Sequence, residues 1–140
     1  MLEALLASVA IAAAPSGVLQ VRAKYPLDET VERLEALVTA RGMVVFARID
    51  FSRDATHAGL SMQPEQLLIV GSPRRGTPLL KAAPTAGLDL PLKVLIWTDP
   101  AGVTWIAYNE TDYIMRRHGI PPELAENIAG LAALITEVAN

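Results

Sequence analysis

The spacing of the strand-like segments limits this chain more than any other feature of its sequence. Alternating apolar residues, or a short apolar run, predict five strands, at residues 18–25, 43–50, 66–70, 92–98 and 103–108. Only the first connection carries a substantial helical pattern, and parallel neighbours need a crossover of about a dozen residues or more. We therefore expect the α+β class, with a mostly antiparallel sheet in β-α-β-β-β-β-α order and helices packed on one face.

Two long helices are predicted to cover that face. The first begins at a cap on Asp28 and ends at Gly42, and the second spans residues 121–140 as one continuous helix. Shorter helices are expected from a cap at Thr77 through Ala83, and at residues 110–118. The apolar stripes of the two long helices are Val31, Leu34, Leu37 and Val38 in the first, and Leu124, Ile128, Leu131, Ile135 and Val138 in the second.

Composition excludes several classes of protein. A chain of 140 residues with 51% hydrophobic residues and a mean hydropathy of +0.31 has enough apolar surface for a core, which argues against intrinsic disorder. Its net charge of −3 gives no basic field for nucleic acid. The absence of cysteine excludes thiol nucleophiles, disulfides and thiolate metal sites. We predict no cofactor and no nucleic-acid partner.

Residues 1–16 form an apolar segment in front of a single predicted domain at 17–140. The apolar run is too short to span a bilayer. It has the length of a signal peptide, but Glu3 stands where such a peptide carries positive charge. An amphipathic helix docked on the domain or on a partner is therefore favoured, with a cytoplasmic location; export to the periplasm or beyond is the alternative.

The segment between the third strand and the following helix is the main candidate site. A helix N-terminus with two neighbouring arginines can hold a carboxylate or phosphate. A solvated turn is the alternative interpretation, because glycine and proline also set turn geometry. The candidate residues in this segment are Gly71, Ser72, Arg74, Arg75, Gly76 and Thr77.

Other polar and aromatic residues are weaker candidates. Asp54 and His57 have ligand spacing, but no third ligand is evident, and we predict no metal site. His118 is interpreted as a cation at a helix C-terminus. Trp97 and Trp105 lie on the two strands of a hairpin joined by residues 99–102, where they form a cross-strand pair or line a ligand cavity.

From about residue 18 to residue 138, the chain resembles the bacterial family called domain of unknown function 302. The matching residues are Asp50, the segments 58–60, 71–73 and 76–77, and the run 88–93. Family members usually have histidine, asparagine and lysine where this chain has Phe51, Ser72 and Arg74. The resemblance implies an α+β fold similar to the TATA-binding-protein-like and birch-allergen-like groups, and by analogy a cavity between the sheet and the long helix. It implies no activity.

Three functional hypotheses follow. The first is a non-enzymatic homodimer that binds a small or apolar ligand between the sheet and the terminal helix. The second is an enzyme with a polar pocket, which requires Asp50, Arg74, Arg75 and Lys93 to converge in space. The third is an interaction subunit whose terminal helices bury their apolar stripes on a partner.

Overall fold

A six-stranded antiparallel sheet forms the centre of the protein. The computed structural model describes residues 11–12 and 17–140. The strands lie in the order β1-β2-β6-β5-β4-β3, so β3 is an edge strand. Their bounds are β1 Ile11–Ala12, β2 Val18–Ala23, β3 Val44–Asp50, β4 Glu65–Gly71, β5 Leu92–Thr98 and β6 Thr104–Asn109.

The α+β class predicted from the strand spacing is confirmed, with the five predicted strands present as β2 to β6. The helices are α1 Leu27–Ala40, α2 Phe51–His57, α3 Pro73–Ala82, α4 Thr111–His118 and α5 Leu131–Ala139. Two 3-10 helices, Pro84–Leu88 and Pro122–Asn127, precede β5 and α5 respectively. The helix predicted at the N-terminus lies outside the described residues, apart from Ile11 and Ala12, which pair with β2 as a strand.

The main core lies between one face of the sheet and the helices α1 and α5. Alternate residues of β2, β4, β5 and β6 point into it, as the two-residue period of a strand requires. On the helices, Val31, Leu34 and Val38 of α1 and Leu134 and Ile135 of α5 are buried there. The opposite residues of the same strands are not part of this core.

A second core lies beside the end of the sheet where β4 ends and β5 begins. It is built by α3, α4 and the two 3-10 helices, and it is separate from the main core. Its buried residues are Leu79, Ala83, Ala86, Leu90, Ile114, Met115, Ile120 and Ile128.

The predicted continuous helix at residues 121–140 is wrong. The chain forms a 3-10 helix, breaks at residues 128–130, and begins again as α5 at Leu131. Gly130 stands at the break, where glycine weakens a helix. The apolar stripe is consequently shared between two cores: Leu124 and Ile128 pack in the second core, whereas Leu131 and the residues after it pack in the main core.

Two predicted helix starts are also wrong. The N-cap of α1 is Pro26, and Asp28 lies within the first turn without capping it. The N-cap of α3 is Ser72, so Thr77 lies inside the helix. Ser72 and Pro73 offer the same cap-and-proline pair that Thr77 and Pro78 offer, and they do so at the end of β4, where the chain leaves the sheet.

Candidate ligand-binding cavity

A cavity of about 400 Å³ lies between the two cores. Val70 and Leu92, at the end of β4 and the beginning of β5, line it from the main core. Leu80 of α3 and Ile128 line it from the second core. Its volume lies within the range of about 300 to 1,000 Å³ that is usual for small-molecule sites.

Most of the cavity wall is apolar. The polar lining residues are Ser72, Arg75 and Thr77 at the start of α3, together with Arg41 and Asn127. The apolar lining side chains come from β3, β4, β5, α3 and the C-terminal segment; they are Met43, Phe46, Val70, Leu80, Leu90, Pro91, Leu92, Ile128, Leu131 and Leu134.

The first turn of α3 is held by its own cap. The Ser72 hydroxyl accepts from the backbone N–H of Arg75 at 3.4 Å, and the Ser72 carbonyl accepts from the N–H of Gly76 at 2.8 Å. Gly76 is open on its outer side, because a Cβ placed there would meet no atom within 4 Å. A side chain at Gly76 would therefore enter open space beside the cavity wall.

Arg41, Asn127 and Arg75 have different partners within the protein. Arg41 is paired with Glu137 of α5, so its charge is already compensated. The Asn127 side chain donates to the Arg75 carbonyl at 3.0 Å, which ties the C-terminal segment to α3 across the cavity. Among the described residues the Arg75 guanidinium makes no ion pair. Arg75 is thus the cation at this site that a ligand can reach.

The structure brings together five of the residues predicted from the segment before α3. Gly71, Ser72, Arg75, Gly76 and Thr77 line the cavity. Arg74 does not line it. Arg74 lies on another side of α3, beside Lys81, at a shallow and open surface depression. Because consecutive residues of an α-helix are rotated by about 100°, adjacent arginines on this helix face different surroundings.

Asp50 and Lys93 are far from this group. Asp50 pairs in register with Gln66, five residues before Gly71 along β4, a separation of about 17 Å. Its carboxylate caps α2, and hydrogen bonds from the Arg53 N–H and the Ser52 hydroxyl lower its pKa.

Lys93 lies between Leu92 and Val94, which face the main core, so its side chain points to the other face of the sheet. There its ammonium group donates to the Leu88 carbonyl at 3.1 Å. The four side chains required by the enzyme hypothesis therefore do not converge.

A polar cluster in the second core was missed by the sequence analysis. The Asp89 carboxylate accepts two hydrogen bonds from Arg117, at 3.1 and 3.0 Å, and lies 2.5 Å from His118 Nε2. His118 Nδ1 is 2.9 Å from the Thr85 hydroxyl. His118 lies in the last turn of α4, as the sequence predicts, but its side chain is only 3% exposed and its carboxylate partner Asp89 was not predicted. The cluster joins the first 3-10 helix to α4.

The two tryptophans do not line the cavity. Trp97 and Trp105 pair in register on β5 and β6, on the face opposite the main core. The Trp97 indole donates to Gln20 and the Trp105 indole donates to Asp99, both at 2.9 Å. Within the described part of the chain, no group of three His, Asp or Glu side chains is placed to hold a metal ion, and Asp54 and His57 gain no third ligand.

Comparison with known proteins identifies relatives over nearly the whole described chain. The model of the family "domain of unknown function DUF302" matches residues 19–138. The crystal structure of an uncharacterised conserved DUF302 protein from Bacillus stearothermophilus superposes with a TM-score of 0.74 at 22% identity, covering 89% of this chain and 96% of that one. At that identity the likeness shows the fold alone.

Two curated relatives are more similar in sequence. Proteins named fluoride-specific ion channel FluC 1, from Brucella suis biovar 1 (strain 1330) and Brucella abortus biovar 1 (strain 9-941), are each 36% identical over 121 residues, or 86% of this chain. The match covers 46% and 44% of those proteins, so this chain spans about half of their length. Over residues 11–12 and 17–140, no helix has both the length and the apolar character needed to cross a bilayer.

Proposed function

The chain belongs to the DUF302 family, and from this premise we propose that it is a non-enzymatic binding protein for a small, mostly apolar ligand. The observation that supports this proposal is the cavity between the two cores, with its mostly apolar wall and a few polar lining groups. A wall of this kind binds by removing apolar ligand surface from water, at roughly 25 cal/mol per Å².

The polar lining residues of the cavity favour a ligand with one acceptor group at its end. Arg75 has no ion pair among the described residues, and it stands beside the Ser72 cap, where the N–H groups of α3 begin. Arginine binds carboxylates with paired hydrogen bonds, and a helix N-terminus favours negative charge. An apolar tail with a carboxylate head matches this distribution of groups.

Two probes with the same tail test the proposal. Decanol offers the tail with a neutral head, and decanoate offers it with a carboxylate. We expect both to raise the melting temperature of the protein at sub-millimolar concentration, with the larger shift for decanoate. An Arg75→Gln variant should lose the preference for decanoate and keep the response to decanol. If neither probe changes the melting temperature or appears bound by native mass spectrometry, the proposal is wrong.

The proposed assembly is a homodimer, and the proposed location is the cytoplasm. The activity in the names of the Brucella relatives is that of proteins about twice as long. The function proposed here concerns only the part of those proteins that this chain matches.

A further inference from the structure

The sheet has a second face, opposite α1 and α5, which we call the outer face. In β2 to β6, the residues that alternate with those of the main core point to it. Two rows of residues cross four neighbouring strands on this face. The first row is Arg22, Trp105, Trp97 and Glu65, and the second is Gln20, Ala107, Leu95 and Leu67.

The centre of the outer face is apolar and its aromatic groups need no further partner. Trp97, Trp105 and Leu95 are each only partly buried. Both indole N–H groups already donate within the chain, to Gln20 and to Asp99. Covering the two rings would therefore remove apolar surface from water without leaving a buried donor unsatisfied.

The two charges of the first row stand at its opposite ends. Arg22 on β2 and Glu65 on β4 are separated by the two tryptophans, three strand spacings or about 14 Å apart. Among the described residues neither takes part in an ion pair. A row with one charge of each sign at equal distances from its centre is complementary to itself after a two-fold rotation.

We propose that the outer face binds the outer face of a second copy of this chain, with the two-fold axis parallel to the strands and between β5 and β6. This inference rests on the homodimer of the proposed function and is independent of the ligand. The rotation exchanges β2 with β4 and β6 with β5, and it keeps each row in place. It sets Arg22 opposite the partner's Glu65 and Trp105 opposite the partner's Trp97.

The second row fits the same arrangement. Ala107 lies opposite the partner's Leu95, so a small side chain meets a large one. Sheets packed in this way keep their strand directions within about 30° of each other. The four strands that the rotation places opposite each other, with six or seven residues each, give a projected area of roughly 400 Å², and the accessible surface of such a corrugated face is larger. That is the order of the roughly 800 Å² per partner found in stable complexes.

Charge exchange tests the axis directly. The full chain would be studied by analytical ultracentrifugation, with circular dichroism and melting temperature as controls for folding. We expect the wild type to be a dimer, and Arg22→Glu or Glu65→Arg alone to weaken dimerisation at least about tenfold, because each places two like-charge pairs in the dimer. Glu29→Arg, an exposed charge reversal on α1, is the matched control and should leave dimerisation unchanged.

The decisive result is restoration. The double variant Arg22→Glu/Glu65→Arg should dimerise like the wild type, and an equimolar mixture of the two single variants should form a heterodimer. If neither single variant weakens the dimer, the protein is a homodimer but the outer face is not its interface. Weakening without restoration would overturn the two-fold axis.

A wild type that stays monomeric at all concentrations would refute the homodimer itself, while the ligand proposal keeps its own test. If removal of residues 1–10 from such a monomer increases acrylamide quenching of tryptophan fluorescence, the outer face is covered by the chain's own N-terminal segment. That result also overturns the inference.

Discussion

Filling the cavity from Gly76 should stabilise the protein and abolish ligand binding together. Gly76 lies within α3, lines the cavity, and has no atom within 4 Å of the position of a Cβ. In Gly76→Leu, replacing a glycine inside a helix by a better helix former raises the free energy of unfolding by about 0.8 to 1 kcal/mol. Burial of the leucine side chain gives about 1.5 to 3 kcal/mol, less about 0.5 to 1 kcal/mol of rotamer entropy. The expected gain in the free energy of unfolding is about 1 to 3 kcal/mol.

Urea denaturation and thermal melting would measure this change. For a chain of this size the melting temperature should rise by about 3 to 10 °C, at about 3 °C per kcal/mol. The shift caused by decanol should disappear in the same variant. Arg74→Leu is the matched control, since it places the same side chain on the same helix outside the cavity, and it should keep the decanol response. A Gly76→Leu protein that is less stable, or that still responds to decanol, would refute the cavity as described.

Two further predictions concern stability. Asp89→Ala leaves the buried His118 without its carboxylate partner. We expect the free energy of unfolding, measured in urea, to fall by about 3 kcal/mol, the low end for a broken buried pair, because the other partner, Arg117, is 45% exposed. The control Asp112→Ala, at an exposed position, should change it little. At acid pH, the protein should lose stability as the pH falls below about 3.8 and through the lowered pKa values of Asp50 and Asp99. Hydrogen bonds from the Arg53 N–H and from the Trp105 indole are the largest causes of these two shifts, so Asp50→Ala and Asp99→Asn should each reduce the acid sensitivity of the unfolding midpoint.

The sequence is a good guide wherever a segment and its neighbour along the chain determine the structure. The hairpin of β5 and β6 is present as the proline and glycine of its turn predict, with Gly102 at φ +83° and its N–H bonded to the Asp99 carbonyl. The C-terminal helix is the contrary case. Its periodicity continues through residues 128–130, but two separate cores compete for its stripe, and only the tertiary structure shows that there are two.

The candidate site shows the same difference between residues that are neighbours in the sequence and residues from distant segments. Gly71, Ser72 and Arg75 are found from local chemistry, because two arginines in a turn before a helix can be recognised in sequence, although the cap is Ser72 and not Thr77. Asp50 and Lys93 belong to segments that are distant in sequence, so local chemistry does not predict whether they meet these residues. The strand register places Asp50 away from them, and strand alternation does the same for Lys93. The cluster around Asp89 gave one signal that was overlooked: an acidic residue set among apolar ones just before a strand.

The position of the cavity between two separately packed cores has a consequence for ligand selection. Each core supplies part of the wall, and Leu92 packs against both. The hydrogen bond from Asn127 to the Arg75 carbonyl holds the second 3-10 helix to α3 beside the cavity. The width of the site is therefore the distance at which the two cores pack against each other. A substitution deep inside the second core, at Ile114 for example, alters that distance without touching the ligand. Two chains with identical lining residues are therefore expected to differ in the size of the ligand proposed for this cavity.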